Sequence, residues 1–382
     1  MSEASAKSAI ETPLTALHAQ AGATIGSWLG CALPDNFSAA RRGGDQDVDW
    51  AAEYRAARES VALIDKNYRA YLRFTGPDRV RYLNAILTNN IKDLADRHGV
   101  VSLFLNPQGR IQAEMETYAS GDSLWCVTFA MIRQALVPAL DRYIIMDDVT
   151  LTDESGLFGT FALEGPRAAE LVKKLTGVEL ALLAELEFQE AALDGVACGV
   201  TKRSPGGVAG AELILGRSDL PKLWEMLRDE VTKADGRPMG YQALSALRLE
   251  QGIPWFGYDF GEKQIPHEAG LENSHISFTK GCYTGQEIVE RVRSRGQVNR
   301  LRVLLRFAAA EVPASGTSLL AEGKEVGHLT RTAYSPALQA PIGMGYVRRE
   351  NSSVGSELAI PSGKAFVIAP PIRAPEGDPS YR

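Results

Sequence analysis

The chain contains an internal duplication with a period of 89 residues. Phe74-Thr75-Gly76-Pro77 recurs as Leu163-Glu164-Gly165-Pro166, and each copy leads into apolar residues at helical spacing. Gly121-Asp122-Ser123-Leu124 recurs at the same interval as Gly210-Ala211-Glu212-Leu213. Each copy is predicted to run strand, helix, two or three strands, helix. The chain is therefore expected to fold as two α+β units that share a core.

The duplication also predicts the domain organisation. After a lead-in over residues 1–48, we place a first unit at 49–155 and a second unit, with its linker, at 156–300. From 301 to 372 short apolar segments alternate with Gly, Pro and Ser, which predicts a small all-β barrel or sandwich. Residues 373–382 are expected to form a loose tail. A duplicated α+β core commonly holds its ligand where the halves meet.

Composition narrows the class of function. Of 382 residues, 45% are hydrophobic and 23% are charged, the balance of a folded soluble protein. A formal charge of −6 argues against a nucleic-acid coat, so direct nucleic-acid binding is not expected. The opening residues lack a secretory apolar region, and no stretch is long enough for a membrane helix. A cytoplasmic protein is predicted.

Cysteine and histidine usage gives no metal signature. The four cysteines lie far apart without a C-x-x-C pair, which suits a reducing compartment. The five histidines show no metal-binding spacing. We therefore predict that the protein has no metal site.

The segment 280–287, KGCYTGQE, is the strongest candidate for chemistry. It places the Cys282 thiol between two glycines, with the Lys280 amine two residues before it and the Tyr283 phenol beside it. Nearby cations and the N-terminus of a helix predicted over 286–293 favour a thiolate. The segment thus predicts a reactive cysteine. The alternative is that Cys282 is a small buried apolar residue at a strand–helix turn.

Two further clusters remain open to more than one interpretation. His267 and Glu268 have the chemistry of acid–base or ligand-binding groups, but Glu250 and Glu268 are equally suited to pairing with arginines that fix the linker. Five arginines lie between residues 291 and 302. They suit either an anionic partner or a solvated face.

The KGCYTGQE segment resembles the signature of YgfZ-type folate-binding proteins, and residues 12–372 are similar to the glycine-cleavage T-protein, an aminomethyltransferase. The resemblance implies an α+β fold of three domains, two duplicated units and a C-terminal β-barrel, around a central folate pocket. It implies tetrahydrofolate, or a one-carbon-loaded form, as ligand. It also implies a role in iron–sulfur cluster assembly or repair, with iron–sulfur proteins, including tRNA-modifying enzymes, as clients.

The resemblance also suggests site residues. Cys282 would be the functional thiol, with Lys280 and Tyr283 beside it, and the segments 266–271 and 280–287 would line the folate pocket. The residues assigned to folate binding are Glu114, Glu268, Gly281, Gln286, Glu287 and Arg291.

Two departures from the T-protein pattern bear on the choice of function. Its acidic pair falls on Ala113 and Glu114, and the two acids of its Gly-acid-acid-Gly pattern fall on Val208 and Ala209. Missing carboxylates count against aminomethyl transfer from glycine. We therefore expect a folate-binding accessory factor for iron–sulfur enzymes. The alternatives are a folate-dependent aminomethyl- or methyltransferase and a non-catalytic folate sensor or scaffold.

Overall fold

The N-terminal segment forms a small sheet that packs beside the duplicated core. The computed structural model describes residues 9–37 and 50–371. The first described range contains β1 (Ile10–Glu11), α1 (Thr15–Gln20), β2 (Thr24–Trp28) and β3 (Cys31–Asn36), with strand order β1-β3-β2. The second range opens with α2 (Ala51–Glu59).

The first unit follows the predicted order of elements. Its sheet has the order β6-β7-β8-β5-β9, and apolar side chains of the sheet pack against its two helices. The elements are β4 (Ala62–Asp65), β5 (Arg69–Thr75), α3 (Arg79–Ile86), β6 (Gly99–Leu105), β7 (Ile111–Ser120), β8 (Ser123–Phe129), α4 (Arg133–Asp141) and β9 (Thr150–Asp153).

The second unit repeats that order. Its sheet reads β11-β12-β13-β10-β4-β14, and its helices bury a second apolar cluster around Trp224. The elements are β10 (Phe158–Glu164), α5 (Ala168–Thr176), β11 (Phe188–Leu193), β12 (Val196–Lys202), β13 (Gly210–Gly216), α6 (Leu220–Lys233) and β14 (Arg237–Pro238).

The two units exchange their leading strands. Strand β4 precedes β5 in the chain but pairs antiparallel with β10 of the second sheet. Strand β9 precedes β10 but pairs antiparallel with β5 of the first sheet. Each sheet is thus completed by the strand that precedes the other unit. The strands of the first sheet follow one another in the chain from Arg69 to Asp153, whereas the second sheet joins β4 to strands that begin at Phe158.

The linker, residues 239–299, fills the space between the units and the barrel. It contains α7 (Tyr241–Glu250), α8 (Pro266–Ala269), α9 (Glu272–His275) and α10 (Gln286–Arg295). Helix α7 is buried at eight of its ten positions, and six of those eight are apolar or aromatic. A helix with this pattern belongs in an interior, and it contacts β3, α2 and the barrel.

The C-terminal strands close into a six-stranded barrel, as predicted. Its order is β15-β18-β17-β16-β19-β20, and its interior is filled by aliphatic side chains and Phe307. The strands are β15 (Arg300–Ala308), β16 (Ser318–Ala321), β17 (Lys324–Ser335), β18 (Ala340–Arg348), β19 (Glu357–Ile360) and β20 (Gly363–Ile368).

The predicted fold class, a duplicated α+β core followed by a β-barrel, is therefore confirmed. The tail predicted at 373–382 lies outside the described residues. Within 9–37 and 50–371, no helix has both the length and the apolar character needed to cross a membrane.

Candidate functional site

A cavity of about 410 Å³ lies where the two sheets, the linker and the barrel meet. This volume is in the range of small-molecule sites. We call it the central cavity. The lining side chains that carry charge, polar groups or aromatic rings are Lys66, Tyr68, Arg69, Glu114, Glu116, Thr128, Phe129, Arg203, Ser204, Arg248, Trp255, Ser274, His275 and Arg302.

The central cavity carries an excess of positive charge. Its walls present five cationic side chains, from Lys66, Arg69, Arg203, Arg248 and Arg302, against two carboxylates. Such a concave, partly desolvated surface attracts an anionic ligand.

Part of this charge forms a buried network that joins the two sheets. Arg69 Nη1 donates to Glu116 Oε2 at 2.8 Å, and Arg203 Nη2 donates to Glu116 Oε1 at 3.0 Å. Arg69 also pairs with Glu212 at 3.1 Å, and Lys66 pairs with Glu212. Burial alone would raise the pKa of Glu116, but the surrounding cations outweigh it and hold that pKa well below its usual range. Glu116 is therefore a fixed anion.

Aromatic rings supply the flat surfaces of the cavity. Tyr68 and Phe129 stack with centroids 5.6 Å apart and planes 21° apart. The guanidinium groups of Arg248 and Arg331 each lie 4.8 Å from the ring centroid of Trp255. Burial lowers the pKa of Arg248 to about 10, so it remains charged at neutral pH. Rings beside cations suit a ligand that is both aromatic and anionic.

A second carboxylate of the cavity, Glu114, is held by a histidine. His275 Nε2 lies 3.0 Å from Glu114 Oε1, and His275 Nδ1 lies 2.7 Å from Ser274 Oγ. Sequence reasoning identified Glu114 but missed His275 and Ser274. The available signal was their position in α9, directly after the singled-out segment 266–271.

The side-chain alternation along β7 changes the meaning of Ala113. Successive residues of a strand point to opposite faces. Glu114 and Glu116 point into the central cavity, whereas Ala113 is buried in the helix-facing core of the first unit. The missing acid at position 113 therefore removes no carboxylate from the cavity wall.

The buried carboxylate of Glu164 holds the loop that contains Val208 and Ala209. This carboxylate accepts hydrogen bonds from Ser204 Oγ at 2.7 Å, Gly206 N at 2.8 Å and Val208 N at 3.0 Å. Burial raises the pKa of Glu164, against the effect of these donors. The loop presents no carboxylate of its own to the cavity, since positions 208 and 209 are apolar.

The KGCYTGQE segment lies against the first unit and outside the cavity lining. Lys280 Nζ donates to the carbonyl oxygens of Asn84, Leu87 and Asn89 at 2.6, 2.5 and 2.9 Å. Gly285 has φ +82°, and a Cβ there would lie 2.7 Å from the Asn106 carbonyl oxygen. Only glycine suits that close approach.

The thiol of this segment is open to solvent. Cys282 is exposed, which contradicts the alternative prediction that it is a buried apolar residue. Tyr283 is buried, and its ring centroid is 5.2 Å from Lys280 Nζ. Among the described residues, the Lys280 ammonium makes its hydrogen bonds to carbonyl groups and none to the thiol. The catalytic roles of these three residues stay predictions.

Some of the residues predicted to contact folate line the central cavity, and others lie outside it. Glu114 lines the cavity. Of the segment 266–271, Gly270 and Leu271 line it as well. Glu268 instead accepts hydrogen bonds from Arg110 at 3.1 Å and from the Ile265 N–H at 3.0 Å. The predicted contacts that lie outside the cavity lining are Glu268, Gly281, Gln286, Glu287 and Arg291.

The duplication produces a second cavity of about 430 Å³ at the equivalent place in the second unit. The central cavity lies beside the start of β5 and the loop between β12 and β13. The second cavity lies beside the equivalent elements of the duplication, the start of β10 and the turn between β7 and β8. Phe158, 89 residues after Arg69, lines it with Tyr118, Trp125 and Phe188. Charge distinguishes the central cavity from its apolar counterpart.

Comparison with known proteins identifies the family. The pattern of the GCVT N-terminal domain matches residues 14–280, and that of the glycine cleavage T-protein C-terminal barrel domain matches residues 300–375. Residues 281–299, which hold most of the KGCYTGQE segment and α10, lie between the two matches.

Relatives and a solved structure align with more than nine tenths of the chain. An aminomethyltransferase of Desulfitobacterium hafniense is 28% identical over 351 residues, 91% of this chain and 93% of the relative. One from Thermotoga maritima is 26% identical over 94% of this chain and 96% of the relative. The crystal structure of the glycine cleavage system aminomethyltransferase T from Bartonella henselae has a TM-score of 0.83, at 22% identity, covering 94% of this chain and 97% of that one. The chain therefore belongs to the glycine cleavage T-protein family.

Proposed function

We propose that the protein binds tetrahydrofolate, or a one-carbon-loaded form of it, in the central cavity. The observation that carries this proposal is the excess of cations around stacked aromatic rings at the junction of the two units. A folate combines a flat pterin and a benzoyl ring with an anionic glutamate. The rings suit Tyr68, Phe129 and Trp255, and the glutamate suits the arginines.

The residues present fit that ligand at both ends. Pterin N–H groups need acceptors, and Glu114 is the cavity carboxylate that is paired with a histidine rather than with arginines. Family membership supports the same ligand, since the resemblance to the T-protein implies tetrahydrofolate and the chain belongs to that family.

Calorimetry with tetrahydrofolate under reducing conditions tests the binding. We expect a saturable signal, weakened about tenfold by Arg302→Gln, because Arg302 lines the cavity and a charge-assisted hydrogen bond contributes about 1.5–3 kcal/mol. Arg306→Gln, on the exposed side of β15, is the matched control. No heat at protein concentrations well above micromolar contradicts the proposal.

The finer proposal is a cytoplasmic accessory role in iron–sulfur cluster assembly or repair, with Cys282 as the reactive group. It is supported by the resemblance of the KGCYTGQE segment and by the exposure of its thiol. Cells that lack this protein would be complemented with the unaltered chain or with Cys282→Ser, and the activity of an iron–sulfur tRNA-modifying enzyme measured. Full rescue by Cys282→Ser at equal protein level contradicts this role.

The second candidate is a folate-dependent aminomethyltransferase. It is favoured by relatives of that name that align over more than nine tenths of both chains. Against it, Val208 and Ala209 stand where acids are expected. Reconstitution with the lipoyl carrier protein of glycine cleavage separates the candidates. We expect little or no production of methylene-folate. Robust production would instead favour aminomethyl transfer over the accessory role.

A further inference from the structure

Glu114, His275 and Ser274 form a hydrogen-bonded series that runs from the central cavity to solvent. Glu114 Oε1 is 3.0 Å from His275 Nε2, and His275 Nδ1 is 2.7 Å from Ser274 Oγ. His275 is buried at 9% exposure, whereas Ser274 is exposed. The three residues come from two elements, β7 and α9, and all three line the cavity.

The chemistry of the partners fixes the orientation of the imidazole. An ionised carboxylate only accepts hydrogen bonds, so His275 Nε2 must carry the proton that faces Glu114. In a neutral imidazole, Nδ1 then accepts from the Ser274 hydroxyl. In an imidazolium, Nδ1 donates to Ser274 Oγ, whose own proton turns to the Leu271 carbonyl oxygen at 3.4 Å. The contact with Glu114 is therefore kept in both charge states.

This arrangement leaves one carboxylate oxygen of the cavity for a ligand. Both oxygens of Glu116 are taken by Arg69, Arg203 and Tyr118. Glu114 Oε1 is taken by His275, whereas Oε2 has no hydrogen-bond partner among the described residues. Glu114 Oε2 is thus the cavity's available anionic acceptor for N–H groups.

We propose that His275 is a positioning residue that aims Glu114 at the N–H groups of the pterin ring, and so determines that the site recognises a pterin rather than any anionic aromatic molecule. The proposal rests on the proposed folate site. Positions 208 and 209 carry no acid that could accept hydrogen bonds from the pterin. In this proposal, Glu114 on β7 and His275 on α9 provide that acceptor instead. Ser274 supports the role by holding the second imidazole nitrogen.

Two ligands separate ring recognition from general support of the cavity. Tetrahydrofolate carries the pterin, whereas p-aminobenzoyl-glutamate carries only the benzoyl ring and the anionic tail. Both would be titrated against the unaltered chain and against Glu114→Gln, His275→Ala and His275→Gln. His328→Ala, on barrel strand β17, is the control, and melting curves confirm that each variant is folded.

We expect Glu114→Gln and His275→Ala to weaken tetrahydrofolate about tenfold, the scale of a hydrogen bond to a charged group. The double variant should weaken it no further, because the two residues act as one unit. His275→Gln should recover most of the affinity, since its amide N–H can replace Nε2–H. The affinity of p-aminobenzoyl-glutamate should be unchanged in all of them.

Equal weakening of both ligands overturns the proposal, because the pair would then only support the wall. Unchanged tetrahydrofolate affinity in Glu114→Gln overturns it as well. If the unaltered chain binds neither ligand, the proposed function itself fails, and this inference fails with it.

Discussion

At the scale of single residues, the four cysteines differ in what surrounds their thiols. Cys31, Cys126 and Cys198 are buried, and burial raises their pKa values to about 11, 12 and 11. Cys282 is exposed between Gly281 and Tyr283. The thiolate is the nucleophile in alkylation, so buried thiols with raised pKa values react slowly.

We therefore predict that iodoacetamide at pH 7.5 modifies Cys282 first. The expected rate is at least about tenfold above that of each buried cysteine, because a thiol with a raised pKa is almost entirely protonated at this pH. Mass-spectrometric peptide mapping over time measures the rates. Cys282→Ser should abolish the fast phase, and a fast phase at Cys126 in the folded chain would contradict the prediction.

At the scale of elements, the KGCYTGQE segment closes the end of α3. The last carbonyl groups of a helix lack intrahelical donors. Lys280 reaches three carbonyl oxygens in and just after α3, where a cation is also favoured by the helix dipole. Burial lowers the pKa of Lys280 to about 8, so the side chain is still largely an ammonium at neutral pH. The lysine thus fixes the segment to the first unit.

Removing the Lys280 ammonium is predicted to destabilise both the end of α3 and the KGCYTGQE segment. Lys280→Met keeps the aliphatic stem but leaves three carbonyl groups without their donor, and we expect a loss of about 1–3 kcal/mol in unfolding free energy. Amide hydrogen exchange should accelerate in residues 84–89 and 277–285. Lys92→Met, at an exposed position, is the matched control. Equal stability of the two variants would contradict the capping role.

At the scale of the whole molecule, a buried ion pair fastens the barrel to the linker. Arg331 Nε donates to Asp259 Oδ2 at 3.0 Å, and Arg331 Nη1 donates to Ser245 Oγ at 3.0 Å. Asp259 also accepts from Thr330 Oγ1 at 2.7 Å and from the Trp255 N–H at 2.9 Å. Strand β17 of the barrel and residues 245–259 of the linker therefore meet at one charge pair, next to the wall of the central cavity.

Breaking this pair is predicted to destabilise the whole chain. Arg331→Met leaves Asp259 buried without its counter-ion, a change that costs about 3–5 kcal/mol in comparable cases. Chemical denaturation measures the loss, with Arg306→Met on the exposed side of β15 as control. Arg331→Met combined with Asp259→Asn should lose less than Arg331→Met alone, since the uncompensated charge is gone. A greater loss in the double variant would contradict this account.

Local patterns determined much of the architecture. The repeated Gly-Pro turns and the spacing of apolar residues predicted two copies of one order of elements, and that order is present in β5 to α4 and in β10 to α6. The change to short strands near residue 301 predicted the barrel, whose first strand begins at Arg300. These features can be predicted from the sequence because periodicity and turn preferences depend on residues that are close together in the chain.

Tertiary structure alone decided how those elements combine. The exchange of β4 and β9 depends on which sheet edge each strand meets, and no local pattern encodes that choice. The central cavity gathers Glu114, Arg203, His275 and Arg302 from four distant segments. Packing also turned the side chain of Ala113 away from the cavity and directed Lys280 to the end of α3. A side chain's neighbours across space depend on the packing of whole elements, and this is why the sequence identified Glu114 but not the histidine that holds it.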